Sequence, residues 1–420
     1  MTLPKIITTS KTYDWPTFRA DLMAGTTVAM VALPLSIAIA IASGARPMDG
    51  LVTAIVAGFF ISALGGSRVQ IGGPTGAFIV VVYGVIADYG YDGLVLATFM
   101  AGLILVVAGY LRIGNLVRYV PEAVVSGFTI GIAIIIATSQ LKDALGLQPE
   151  ALPADFLEKV PVLWAARDSF SLAAFGLAAG SIVAITLIRR MSPRIPGPIV
   201  VVGLASAIAL GFGLEVDTIA SRYGELRSGL PPPSLPEISL DRVIEMLPSA
   251  FVIAFLAGVE SLLSAMVADR MIGAQHRPNA EVVAQGVANL ASALFGGMPA
   301  TGAIARTATN VRAGGKTPVA GIVHAAVLLI CLLVAGPLAG KLAMPALAGL
   351  LLLIAWNMSE PQHWRDHLRL RPSDRLLFFA TLMLTVLVDL TAAIGVGVGL
   401  GLALRLRRRK APTDWNMPER

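Results

Sequence analysis

Gly296-Gly297-Met298-Pro299-Ala300-Thr301-Gly302-Ala303-Ile304-Ala305-Arg306 lies inside a hydrophobic region and interrupts it. Two glycines and a proline stop the incoming segment from continuing as a regular helix. A short helix then starts near Ala303, with its free N–H groups facing back toward the break. Such a helix end attracts anions through those N–H groups and through its dipole. Arg306 falls in the first turn and adds a full positive charge. An arginine inside an apolar span costs at least about 2.5 kcal/mol on insertion scales, so its presence there marks a candidate functional site.

A second stretch, Gly72-Gly73-Pro74-Thr75-Gly76-Ala77-Phe78, has the same grammar. Both read Gly-Gly, then Pro, then Thr-Gly-Ala, then a bulky apolar residue, and they occupy corresponding places in the two halves of the chain. Paired Gly/Pro-interrupted segments point to a transporter built from inverted repeats, with its site between two half-helix N-termini. The bland alternative is two unrelated loops in a chain that holds 42 glycines.

Composition sets the solvent. The chain is 56% hydrophobic and only 14% charged, with a mean hydropathy of +0.77. Soluble domains carry roughly 25% charged residues, so this is a polytopic membrane protein. The net charge of +6 resides in loops and tails and reports topology rather than nucleic-acid binding. The single cysteine, Cys331, excludes an intrachain disulfide and reads as a small hydrophobe. The polar N-terminus, with Lys5, Lys11, Asp14 and Arg19, is not a cleavable signal peptide.

The apolar runs predict about fourteen segments: 21–42, 50–65, 75–87, 93–111, 121–138, 169–188, 197–213, 249–268, 281–296, 303–311, 318–336, 342–356, 374–388 and 390–406. The third and tenth are too short to cross about 30 Å of hydrocarbon at about 1.5 Å per residue. They are the half-helices that follow the two breaks, and short extended stretches precede them. With this count the basic loops fall on one side: Lys5 to Arg19, Arg68, Arg112, Arg118, Arg189 to Arg194, Arg270, Arg277, Arg312, Lys316, Arg365 to Arg375 and Arg405 to Lys410. Asp88, Asp92 and the net-acidic loops 143–168 and 214–245 fall on the other. A miscounted segment would scramble this pattern. The Arg/Lys bias predicts cytoplasmic N- and C-termini.

The expected organisation is a cytoplasmic segment 1–20, a first seven-segment repeat 21–213, an extracytoplasmic loop 214–248, a second repeat 249–406 and a basic tail 407–420. Within the loop, Asp241 to Leu247 predicts an amphipathic interfacial helix.

Few residues carry chemistry. Pro34 lies in mid-segment one, as a kink or as part of a cavity wall. Glu260 lies near the centre of segment eight, followed by Ser261, and Ser264 lies one turn further on the same face. A carboxylate that far from water requires a proton or a cation. Glu260 is therefore a candidate ion carrier, or the ion-pair partner of Arg306. Thr75, Thr301, Thr307 and Thr309 offer hydroxyls around the breaks, which suit an oxyanion. Asn279 is expected to cap segment nine, with Glu281, Gln285 and Asn289 bonding across helices. His324 and Asp389 lie near segment ends and read as structural. No nucleotide-binding P-loop, Cys/His metal spacing or nucleophile triad is present, so neither an enzyme nor a cofactor is expected.

These residues together resemble the sulfate permease (SulP) anion transporters. Gly25-Thr26-Thr27-Val28-Ala29 through Leu33-Pro34 is similar to the family's first-helix signature. Arg118 to Phe128 with Ser139-Gln140-Leu141-Lys142 is similar to its fifth segment. Asn279-Ala280-Glu281, Gln285 to Asn289, Phe295-Gly296-Gly297 and Arg306 to Asn310 are similar to its ninth and tenth. The resemblance covers nearly the whole chain.

The resemblance implies two inverted seven-segment repeats divided into core and gate domains, commonly in a homodimer. It implies that the anion sits between the N-termini of segments three and ten. Thr75, Gly76 and Ala77 match the third-segment positions, and Ala303, Ile304, Ala305 and Arg306 match the tenth. Leu35 and Ile39 match pocket positions on segment one, and Glu260 and Ser264 match a coupling-ion pair. Many members carry Gln where this chain has Leu35, which removes a direct side-chain bond and favours a carbon-bearing anion. Glu260 in place of Asp points to a proton rather than sodium. Members usually continue into a cytoplasmic STAS domain, which is absent here or has been removed.

The expectation is a proton-coupled symporter in a bacterial inner membrane, carrying a small dicarboxylate such as fumarate or an inorganic oxyanion such as sulfate or bicarbonate. An anion exchanger, a channel-like or voltage-responsive protein, and a nucleobase–cation symporter of the same fold are the alternatives. The last would be expected to carry a carboxylate on segment ten, where this chain has Arg306.

Overall fold

The computed structural model describes residues 3–115, 121–150, 152–153, 155–192, 195–225, 228–388, 393, 396–397 and 399–400. A short helix α1 (Lys5–Thr9) precedes α2 (Trp15–Ala42) and α3 (Pro47–Leu64). The two-residue strand β1 (Gly72–Gly73) leads through a tight turn at Gly76–Phe78 into α4 (Ile79–Tyr110). Then come α5 (Glu122–Leu145), α6 (Phe156–Ala165), α7 (Leu172–Met191), α8 (Gly197–Gly211) and α9 (Ile219–Tyr223). The second half holds α10 (Leu240–Ile272), α11 (Pro278–Leu294), strand β2 (Thr301–Gly302), α12 (Ile304–Arg312), α13 (Val319–Ala339) and α14 (Met344–Met358), followed by α15 (Trp364–Leu368) and α16 (Pro372–Leu387).

Local chemistry explains several boundaries. The Asp14 side chain accepts from Thr17 N and starts α2, with Pro16 in the first turn. Gly146 and Gly273 end α5 and α10 in the left-handed conformation. Gly90 divides α4, its φ of 72° and ψ of 177° being incompatible with a continuous helix. The arms of α4 are the expected third and fourth segments. Thirteen expected segments thus appear as helix, and the fourteenth, 390–406, lies almost wholly outside the described residues, as does Asp389. Seven described helices are long and apolar enough to cross a bilayer. The others are shorter, as a fold with broken and tilted segments allows.

Three expectations require correction. The interfacial helix at Asp241–Leu247 is not separate, because α10 runs unbroken from Leu240 through Pro248 into the membrane span. Ser239 caps this helix through Arg242 N, and Pro248 removes only one backbone donor near its start. The loops 143–168 and 214–245 are not plain loops, since they carry α6 and α9. Asn279 is not the cap of α11: Pro278 opens that helix and Arg277 holds the cap position.

Helix α4 packs against α10 and α11, α3 against α11 and α13, and α2 against α3 and α13. A second group joins α5 to α14 and α16, and α14 to α7. Helix α2 touches α8 and α14, which brings the two groups together. These are the core and gate of an inverted-repeat fold. At the centre of the core β1 and β2 pair antiparallel, Gly72 opposite Gly302 and Gly73 opposite Thr301.

Candidate anion-binding site

Unwound backbone deep in a membrane protein must find its hydrogen bonds in side chains. At the second break Asn289 Nδ2 donates to Ala300 O at 2.9 Å, and Ala300 N donates to Asn289 Oδ1 at 2.8 Å. Met298 N donates to Thr53 Oγ1 at 2.7 Å, and Thr301 Oγ1 donates to Ala257 O at 2.8 Å. At the first break Ile71 N donates to Thr307 Oγ1 and Asn310 Nδ2 donates to Val69 O. Glu281 is wholly buried behind them. It accepts from Gly66 N, Ser67 N, Ser261 Oγ and Gln285 Nε2. The polar residues of α11 therefore do bond across elements, and they hold the breaks rather than the substrate path.

Two helix starts face the space these bonds leave open. Thr75 occupies the cap position of the first, and Ala303 that of the second. Neither start has a side-chain cap, so the first-turn N–H groups at Gly76–Ala77 and at Ile304–Arg306 remain for a ligand. The sequence match pairs Thr75 with Thr301, but the structure makes Ala303 the counterpart. The second break is longer, and Thr301 lies within β2 with its hydroxyl spent on Ala257. Thr307 and Thr309 are also committed, the latter to Ala305 O. Of the four threonines singled out, only Thr75 lines the cavity.

Thr75 Oγ1 donates to Glu260 Oε2 at 2.9 Å. Arg306 is 1% exposed and turns its guanidinium toward the first break. Its Nη2 donates to Pro74 O and Ser36 Oγ, each at 3.1 Å, and its Nη1 reaches Gly72 O at 3.5 Å. Its Nε has no hydrogen-bond partner among the described residues. Among the described residues Arg306 and Glu260 form no ion pair, so of the two readings offered for Glu260 the direct pairing with Arg306 does not occur. The intervening break carbonyls take the guanidinium instead.

A cavity of about 1020 Å³ opens here. Leu35, Ile39, Thr75, Gly76, Ala77, Glu260, Ala303, Ile304, Ala305 and Arg306 all line it. Ser264 does not: its hydroxyl donates to the buried Thr307 Oγ1 at 3.2 Å. Four residues along a helix rotate a side chain by about 40°, enough to carry Ser264 behind α12. Phe128 of α5 with Ile354 and Met358 of α14 form the gate wall. Glu122, Arg270, His363 and Asp374 also line the cavity. Sequence reasoning passed over Ser36, although it is the lone hydroxyl between Val28 and Ile41. His324 is fully buried in α13, and neither ring nitrogen has a hydrogen-bond partner among the described residues. Among the described residues no cluster of His, Cys, Asp or Glu has the arrangement of a metal site.

Comparison with known proteins gives a consistent picture. The sequence model described as "Sulfate permease family" matches residues 18–381. The putative sulfate transporter YvdB of Bacillus subtilis is 43% identical over 385 residues, which is 91% of this chain and 73% of that protein. The bicarbonate transporter BicA of Picosynechococcus is 34% identical, covering 90% of this chain and 68% of its own length. The transmembrane domain of a cyanobacterial BicA superimposes with a TM-score of 0.83 at 32% identity, covering 91% of this chain and 99% of that domain. SLC26A9 shares the fold, with a TM-score of 0.87 at 19% identity, over 97% of this chain and 68% of its own.

Proposed function

This chain belongs to the sulfate permease family and is an anion transporter; we propose that it is a proton-coupled symporter working by alternating access. Its substrate is a small dicarboxylate such as fumarate, or an inorganic oxyanion of the sulfate or bicarbonate class. The observation that carries this reading is the pair of uncapped helix starts facing one cavity, with Glu260 hydrogen-bonded to Thr75 between them. The helix ends and Arg306 favour a negative charge, and Glu260 supplies a place for one proton.

In this reading Thr75, Gly76, Ala77, Ala303, Ile304, Ala305 and Arg306 hold the anion, and Leu35 and Ile39 form the apolar wall. Arg306 acts through its field and its free Nε–H while its terminal nitrogens anchor the break. Ser264 supports α12 through Thr307 rather than touching the ion. The repeats are 21–213 and 249–406. The protein acts as a homodimer in a bacterial inner membrane, with cytoplasmic termini.

A competition uptake assay in proteoliposomes, with sulfate, bicarbonate, chloride and dicarboxylates at two pH values, tests the proposal. Accumulation of one anion driven by an inward proton gradient is expected. Uptake indifferent to that gradient rejects proton coupling, and unitary currents without accumulation reject symport.

A further inference from the structure

A second, smaller cavity of about 310 Å³ lies away from the transport site. Its walls are Thr9, Thr12, Thr17, Thr317, Arg68 and Lys316, closed by Val69, Ile272 and Gly315. Five pieces of chain converge there: the N-terminal segment, the first turn of α2, the link before β1, the end of α10 and the turn after α12. Arg68 and Lys316 are exposed, and among the described residues neither forms an ion pair.

The nearby carboxylates are already occupied. Asp21 is fully buried and accepts from Lys316 N, Thr317 N and Thr317 Oγ1. Asp14 accepts from Thr17 N at the start of α2. Close by, the Lys5 ammonium is held below its usual value by burial and then by the Arg277 and Arg68 cations, against a weaker pull from Asp269. Lys5, Arg68 and Arg277 therefore lie within electrostatic reach of one another at this end of the molecule. Two cations with no ion-pair partner among the described residues, beside the exposed Thr12 hydroxyl, match a compact anion with several acceptor oxygens. Trp15 and Met23 are exposed on α2, the helix that supplies Thr17 to the cavity wall.

We propose that this cavity binds a phosphate group, carried by the headgroup of an anionic membrane lipid or as free phosphate. Its position gives the binding a consequence. Arg68 lies on the link into β1 and Lys316 follows α12, the two pieces that build the transport site. Asn310 of α12 already joins them, donating to Val69 O at 2.8 Å. A phosphate between the two cations ties the same pieces a second time and steadies the core.

The test compares thermal unfolding of the purified protein with that of an Arg68→Gln/Lys316→Gln double variant, at constant ionic strength. The probes are inorganic phosphate, short-chain phosphatidylglycerol and short-chain phosphatidylcholine. A rise in melting midpoint in the wild type that the double variant loses supports the site. Loss of the phosphatidylglycerol effect identifies a lipid headgroup, and loss of the inorganic phosphate effect identifies the free ion. Phosphate bound at the transport site would stabilise both proteins equally. Equal shifts in the two proteins, or none in either, overturn the proposal. Thr12→Asp, which adds a negative charge to an exposed wall residue, provides a second variant expected to lose the shift.

Discussion

Thr75 Oγ1 donates to Glu260 Oε2 across 2.9 Å, joining a helix start from the first half of the chain to a carboxylate from the second. The bond puts the proposed anion contact and the proposed proton carrier in direct touch. Any change of charge on Glu260 is felt at the helix start that faces the anion.

Glu260→Gln keeps an acceptor for Thr75 but cannot exchange a proton. Anion binding should persist while accumulation driven by a pH gradient is lost. Isothermal binding alongside proteoliposome uptake separates the two effects. A Glu260→Gln protein that still concentrates substrate along a proton gradient would remove Glu260 from coupling.

Gly73 holds a φ of +148°, and a Cβ there would collide with the Arg306 guanidinium. Gly73→Ala therefore adds backbone strain of about 1–3 kcal/mol and displaces Arg306 from its anchors on Pro74 O and Ser36 Oγ. Uptake should fall about tenfold or more, as a loss of about 1.4 kcal/mol requires. Ser36→Ala, which removes one anchor without strain, should fall less. Equal, near-wild-type rates in both would show that the position of Arg306 is unimportant.

Leu35 gives the cavity an apolar wall where a polar side chain would meet an oxyanion. Leu35→Gln should shift preference from a dicarboxylate toward an inorganic oxyanion by about fivefold, the worth of one net hydrogen bond of about 1 kcal/mol. Competition uptake with both anions reads the ratio directly, and an unchanged ratio places Leu35 outside the selective contacts.

Lys159 on α6 joins that helix to α5 and α4. Its ammonium donates to Ser139 Oγ of α5 at 2.8 Å and lies 5.5 Å from the centre of the Tyr83 ring on α4. Burial pushes its pKa down to about 8 from the usual 10.5, against the pull of Asp155. The unfolded chain therefore holds more protons than the folded one between about pH 8 and 10.5. Stability from this group is absent below that window and rises through it. The melting midpoint of the wild type, relative to Lys159→Met, should climb over this range. A flat difference would mean that Lys159 titrates normally.

Much of the fold was legible because a bilayer imposes a strict length rule on apolar segments. Helix positions, the two breaks and the halves of the chain could be read from Gly, Pro and hydropathy alone. The extension of α10 across Pro248 and the helices within the loops could not, since those segments sit where polar and apolar character mix. At the site, Thr75, Ala303, Arg306 and Glu260 were identifiable as polar or broken positions in apolar surroundings. Ser264 and Thr301 looked equivalent to them, but packing against Thr307 and Ala257 claimed their hydroxyls.

What the sequence determined by itself is that the chain spans a membrane and is interrupted twice by matching breaks. Those properties are local, because each residue's transfer cost and backbone freedom do not depend on distant partners. What only the tertiary structure decided is which polar groups remain available. The β1–β2 pairing joins stretches more than two hundred residues apart, Gly72 opposite Gly302. That pairing turns Arg306 onto the break carbonyls, leaves Glu260 to Thr75, and buries Glu281 against Gly66 and Ser67. Hydrogen bonds across such separations are set by three-dimensional proximity, which no spacing within either motif encodes.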